Sequence, residues 1–246
     1  WAKSNAHRGF IAAFPQVGGP GGLFLANLAV LAFSASMSGD AFLAWGWRIP
    51  FFISIVMVAI GLWIRLGILE TPPFRKIVEE NRVERVPVLE VLKRQPGAIV
   101  LTALARMVEQ APAYVYFGFI FTYGMAVLHS SRNFLLSAVL TAAGVDLLLI
   151  LVFGHLSDRI GRKRMYTIGA VISGLYAIVY FPLLNTGIPA VIFLAIVLSL
   201  VPHSMVYGPQ AALIAECFTP RLRYSGASIG YQLASIVAGG PAPLIA

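Results

Sequence analysis

Apolar residues run along this chain in long stretches broken by short polar or charged turns. Neither the strict alternation of a half-buried strand nor the narrow stripe of a surface helix organises them. Runs near the length of about 20 residues that spans hydrocarbon cover 8–34, 47–69, 97–127, 133–156, 165–184, 190–215 and 224–246. In lipid only helices and closed barrels satisfy their own backbone, and runs this long without alternation predict helices. The expected fold is all-α, a polytopic membrane helix bundle of about seven transmembrane helices.

Composition supports a bilayer as the solvent. Charged residues make up 11% of the chain and hydrophobic ones 59%, against roughly 25% and 45–50% in soluble domains. The net charge of +8 does not point to nucleic acid, because Lys and Arg sit at the ends of apolar runs and form no basic face interleaved with aromatics. Every Lys and Arg except Arg48, Arg106 and Arg132 falls on one side of the expected topology. By the excess of positive charge in short loops that side is cytoplasmic, which predicts a multi-pass protein of the cytoplasmic (inner) membrane. Trp45 and Trp47 belong to the opposite interface, with Arg48 as an anchor there. Cys217 is the only cysteine, so neither an internal disulfide nor a cysteine cage for a metal is available. No HExxH or phosphate-binding loop occurs. That argues against an enzyme and against ATP-driven transport by this chain, and no cofactor is expected.

The run at 154–164 is the densest charged segment between spans. Asp158, Arg159, Arg162, Lys163 and Arg164 cannot lie in hydrocarbon, so they mark a tight turn between two helices. Residues 70–96 form a longer charged linker on the cytoplasmic side. It separates two spans in 1–69 from a larger group in 97–246. Thr71 before Pro72 and Val86 before Pro87 predict two short helices in it; Phe74, Ile77, Val78, Leu89 and Leu92 would lie on the membrane surface or under the bundle. Trp1 is not an initiator methionine and Ala246 ends an apolar run, so the chain reads as a fragment.

Few charges fall inside the spans. Arg106 and Glu109 are i and i+3 on one helix, with Gln110, Tyr114 and Phe117 expected on the same face, and Asp146 is deep in the next span. A charge at a helix centre costs roughly 2.5–3.5 kcal/mol on insertion scales, so such residues face a cavity or one another. Two readings fit: Arg106 binds a substrate carboxylate while Glu109 or Asp146 carries a proton, or Arg106 and Glu109 form an internal pair that holds the bundle. Asp146 fits either a proton carrier or a neutral hydrogen-bonding group. Polar stripes on other spans hold Gln16 and Asn27; Ser199, His203, Tyr207 and Gln210; and Ser228, Tyr231, Gln232 and Ser235. Tyr207, Gln210 and Gln232 are expected to line a cavity, and His203 to be a hydrogen-bonding packer.

The turn Gly154–Arg164 resembles the signature loop G-x-L-x-D-R-x-G-R-[KR]-[KR] of major facilitator superfamily transporters. Gly46 to Phe51, Glu70 to Phe74, Tyr207 to Ala212 and Arg223 to Ser228 resemble its metabolite:proton symporter family, whose members include shikimate, proline-betaine and dicarboxylate carriers. The resemblance implies secondary active transport by alternating access. The proton would be the coupling ion, and the substrate a small organic acid or zwitterion, with Arg106 favouring a carboxylate. It also implies a partial fold comprising helices five to eleven of twelve. Residues 1–69 would then be the last two helices of the N-terminal half, and 97–246 the C-terminal half without its last helix; the missing helices of the same polypeptide would complete the cavity. Within the signature loop, Gly154 would permit close helix approach and Gly161 the turn, with Arg159 and Arg162 beside them. Asp158 would latch onto the helix start at Arg8 and Gly9. A sugar or other solute facilitator of the same fold, and a non-transporting sensor or scaffold built on it, are the rival readings.

Overall fold

Prolines and small polar residues set where the helices begin. In the computed structural model, residues 7–67 and 87–239 are described; the helix expected from Thr71, with Phe74, Ile77 and Val78, lies outside them. The described elements are α1 (Arg8–Ser36), α2 (Gly39–Ala44), α3 (Ile49–Gly67), α4 (Pro87–Arg94), α5 (Pro96–Tyr114), α6 (Ile120–Ala126), α7 (Arg132–Ile160), α8 (Arg162–Leu184), α9 (Pro189–Glu216) and α10 (Arg223–Ala234). No strand occurs among the described residues. Pro87, Pro96 and Pro189 each open a helix, where a missing N–H costs nothing and the fixed φ is already helical. Ser131 caps α7 by accepting the Phe134 N–H at 3.3 Å. Gly161 joins α7 to α8 with φ +101°, a conformation open to glycine and strained for other residues.

Five described helices are long and apolar enough to cross a membrane by length and composition: 8–33, 46–67, 132–160, 162–184 and 189–216. The run at 97–127 is helical from Pro96 to Ala126, but as α5, a π-helical turn over Val115–Phe119, and α6. Pro112 lies inside α5 and has no N–H to offer the carbonyl four residues back, which loosens the ladder just before the π turn. The last run is helical through α10 and a second π turn, Ser235–Gly239, and its remainder lies outside the described residues.

Contacts divide the chain into two compact units, Gly21–Val83 with Trp1, and Ala2–Pro20 with Glu84–Ala246. In the first, none of the residues of α3 is buried, although its mean hydropathy reaches 2.2; such a helix is stable only in an apolar solvent. Arg48 lies over the Trp47 ring at 4.3 Å and donates to the Ala44 carbonyl at 2.9 Å.

The second unit is organised around α9, which packs on both α7 and α8. One core joins Tyr116, Ile120, Leu135, Val139, Tyr180 and Leu200. A smaller one joins Val91 of α4 to Ile99, Ile214, Phe218 and Leu222. Val91 is the anchor of the short linker helix, whereas Leu89 and Leu92 are 52% and 45% exposed. A helix this short has one residue per turn on a given face.

Glycines let α7 and α9 touch backbone to backbone. A Cβ on Gly208 would lie 2.8 Å from the Ile150 carbonyl oxygen and 3.0 Å from the Gly154 nitrogen. Neither can swing away, so Gly208→Ala is expected to force the helices apart at the cost of overpacking, about 1–3 kcal/mol. A lowered thermal midpoint of detergent-solubilised protein would register this; an unchanged one would mean the contact is looser than the geometry states.

Candidate functional site

A chain of charged and polar side chains crosses the interior of the second unit. Its first members stand on α5, where Arg106 and Glu109 form an ion pair and Glu109 is 5% exposed. Arg106 Nη1 also donates to Gln210 Oε1 of α9 at 2.7 Å. Its guanidinium lies 4.6 Å from the centre of the Tyr231 ring and 5.4 Å from that of Tyr207, within range of the attraction of a cation to an aromatic face. The other oxygen of Glu109 faces His203 Nε2 at 3.1 Å, and His203 Nδ1 faces Asp146 Oδ1 of α7 at 3.2 Å. Ser204 donates to the same Asp146 oxygen. Asp146, Ser204 and Gln210 are fully buried.

Aromatic and amide groups hold this chain in place. The His203 ring stacks on Tyr207 at 5.2 Å between centroids, with the edge of Phe117 at 6.2 Å. From α1, Gln16 donates to the Tyr207 carbonyl and to the Tyr231 hydroxyl, each at 3.3 Å. Tyr166 of α8 donates to the Ala105 carbonyl beside Arg106. Within this cluster three buried atoms have no hydrogen-bond partner among the described residues: Arg106 Nε, Gln210 Nε2 and Asp146 Oδ2. A donor left bare in a water-poor interior is costly, so two unpaired donors beside the Arg106 charge favour the arrival of an anion.

The structure brings Arg106, Glu109, Asp146, Tyr207 and Gln210 together as one site. Three expected members stand apart. Gln110 is buried, but it exchanges hydrogen bonds with Ser235 of the second π turn at 3.0 and 3.1 Å; one residue on from Glu109, it is turned by about 100° around the helix. Tyr114 is 41% exposed and has no hydrogen-bond partner among the described residues. Gln232 is exposed, and Tyr231 takes the place expected of it, for the same rotational reason. Asn27 is half-buried and bonds back to the Leu23 carbonyl at 2.8 Å.

His203, expected as a hydrogen-bonding packer, is buried and stacked on Tyr207, and its hydrogen-bond partners are the two buried acids themselves. Its place on one stripe with Tyr207 and Gln210, at i, i+4 and i+7, was the signal in the sequence. Asp146, without a basic neighbour along the chain, has one across the helix interface.

A second arrangement lies at the signature turn. Asp158 Oδ1 accepts the Gly9 N–H at 2.8 Å and Oδ2 the Phe10 N–H at 3.0 Å. The carboxylate therefore sits on unsatisfied donors at the positive end of α1. Arg162 holds Asp158 Oδ1 at 3.2 Å and also pairs with Glu216 at the end of α9. Arg8 and Arg159 are exposed: the backbone of Gly9, not the Arg8 side chain, receives Asp158, and Arg162 rather than Arg159 is the basic partner. A Cβ on Gly9 would lie 2.6 Å from Ser157 Oγ and 2.7 Å from the Gly154 carbonyl oxygen, and one on Gly154 2.6 Å from Ala13 Cβ. Asp158 reaches the helix start because both positions are glycine.

A family model described as Major Facilitator Superfamily matches residues 1–243. The chain is 36% identical over 242 residues to a shikimate transporter of Escherichia coli (strain K12), a match covering 97% of this chain and 55% of that protein. It is 32% identical over 244 residues to an inner membrane metabolite transport protein of the same strain, covering 97% and 56%. It is 26% identical over 241 residues to that strain's proline/betaine transporter, covering 94% and 48%. The chain spans about half the length of the curated relatives it matches, and these relatives are transporters, not enzymes. No solved structure matches.

Proposed function

Because the chain belongs to the Major Facilitator Superfamily, we propose that the whole protein is a secondary transporter that carries a small carboxylate-bearing metabolite together with protons across the inner membrane by alternating access. The observation that carries this reading is the buried run Asp146, His203, Glu109 and Arg106. Three groups able to exchange a proton stand in line with a guanidinium suited to a carboxylate. Four ionisable side chains in the hydrocarbon zone cost too much to serve as packing alone.

The names of the relatives, a shikimate transporter and a proline/betaine transporter, support the same substrate chemistry. Both kinds of molecule carry a carboxylate. The excess of Lys and Arg supports a cytoplasmic location for the signature turn and for the linker at 70–96. The Asp158 contact to Gly9 and Phe10 is then a cytoplasmic latch, closed when the binding site faces outward and released when it faces inward.

The test uses the full reading frame in bacterial cells lacking their own uptake systems for shikimate, proline and glycine betaine. Uptake of at least one labelled compound is expected, with collapse on adding a protonophore. Uptake indifferent to the protonophore would make the protein a facilitator. Binding without flux would make it a sensor.

A further inference from the structure

We propose that the buried chain conserves charge, so that each monocarboxylate crosses with one additional proton and no net charge, Glu109 being the group that accepts that proton. This rests on the reading of the protein as a proton-coupled carboxylate carrier and specifies its stoichiometry.

Hydrogen-bond accounting at His203 is the starting point. Each ring nitrogen faces a carboxyl oxygen, Nδ1 that of Asp146 at 3.2 Å and Nε2 that of Glu109 at 3.1 Å. A neutral imidazole has one N–H and one lone pair. It can donate to one carboxylate, but it turns its lone pair toward the other. Both contacts are satisfied only when the pair of junctions holds one proton more than a neutral imidazole supplies. The proton on the second nitrogen does this.

Charge accounting arrives independently at the same number. Among the described residues, the titratable groups facing the chain are Arg106 and Glu109 from α5, Asp146 from α7, Tyr166 from α8, His203 and Tyr207 from α9, and Tyr231 from α10. The tyrosines are ordinarily neutral at physiological pH. With His203 protonated, two cations face two anions and the site is neutral. Without that proton it carries one uncompensated negative charge in a medium that penalises it heavily.

A substrate carboxylate disturbs this balance by one charge. Arg106 can take it without first leaving Glu109, because Glu109 and Gln210 both engage Nη1. Nε is bare, and with Nη2 it forms the side-on edge that pairs with a carboxylate through two parallel bonds; the Tyr207 hydroxyl, which also hydrogen-bonds Arg106, stands beside it. Room on the guanidinium therefore does not force a proton in; the extra negative charge does. Glu109 touches both Arg106 and His203, so it is where neutralisation costs least. The incoming carboxylate replaces its charge beside Arg106, and His203 keeps Asp146 as its counter-ion. The loaded site is again neutral, with one proton more than the empty one.

Full-length carrier in liposomes, with shikimate, benzoate and lactate as probes, tests this. Proton entry is read from an internal pH dye alongside labelled uptake, and the membrane potential is set with potassium and valinomycin. The expected ratio for an accumulated acid is about one proton per molecule, with uptake following the pH gradient and unchanged by the potential. Glu109→Gln imitates the protonated acid. Accumulation driven by a pH gradient is expected to fall at least ten-fold, roughly 1.4 kcal/mol, and whatever exchange of labelled for unlabelled acid the variant retains is expected not to depend on the gradient.

Gradient-driven uptake that moves net charge, or a ratio of two, overturns this inference and leaves symport standing. So does Glu109→Gln protein that still accumulates acid. Uptake with no gradient dependence overturns symport itself, and failure of all three acids to enter overturns the carboxylate reading on which both rest. If Glu109→Gln does not fold, the wild-type ratio and its response to potential decide.

Discussion

Arg106→Gln is expected to abolish carboxylate uptake, lowering it by roughly two orders of magnitude, and to destabilise the protein as well. The guanidinium pairs with Glu109, bonds Gln210 and lies over Tyr231 and Tyr207. Removing one partner of such a pair leaves a buried charge uncompensated, at about 3–5 kcal/mol. Lost activity alone would not separate a ligand-binding arginine from a structural one. The double variant Arg106→Gln with Glu109→Gln makes the separation, because it removes both charges and with them most of the stability penalty. Its thermal midpoint should return toward that of the wild type while uptake remains absent. Arg106→Lys keeps the charge but lacks the two-pronged edge, so a KM raised about ten-fold at retained stability is expected. Transport by the double variant would assign the pair to the scaffold.

Gly9→Ala is expected to reduce uptake by ten-fold or more and, like Gly208→Ala, to lower the thermal midpoint by the cost of overpacking, about 1–3 kcal/mol. The added carbon would meet Ser157 Oγ at 2.6 Å, the Gly154 carbonyl oxygen at 2.7 Å and Asp158 Oδ1 at 2.9 Å. It acts only where α1 meets the signature turn, so the proposed latch opens and the site is biased toward one face. Asp158→Asn keeps the shape and removes the charge. The interaction of an anion with a helix N-terminus is worth about 0.3–1 kcal/mol, and up to ~2 kcal/mol when partly buried; uptake should fall several-fold. Trypsin added to inside-out vesicles should cleave at Arg162 faster in both variants, since that side chain is now held between Asp158 and Glu216. Unaltered transport in Asp158→Asn would remove the latch from the mechanism. Cleavage only from the opposite side would reverse the topology.

Much of the architecture was legible because the bilayer imposes it one helix at a time. The apolar runs predicted the membrane helices, Pro87 the short helix that carries Val91, and Gly161 the turn between α7 and α8. The signature turn pointed to the start of α1 as the target of Asp158, and the amides of Gly9 and Phe10 receive it. Side-chain direction was less legible. Gln110 and Gln232 are one residue removed from Glu109 and Tyr231, which face the site, and a stripe drawn along a helix does not resolve a turn of about 100°, least of all beside the π turns at Val115–Phe119 and Ser235–Gly239.

His203 shows where the boundary lies. Hydrophobicity and charge are properties of single residues and short windows, so the sequence by itself determined the membrane helices, the sparse buried charges and the signature turn. The pairing of those charges depends on which helices lie side by side. Asp146 and Glu109 are far apart along the chain, and α9, packed against both α5 and α7, sets one imidazole between them. Only the tertiary structure decided that, because a hydrogen bond needs atoms within about 3 Å, and helix packing, not sequence distance, brings them there.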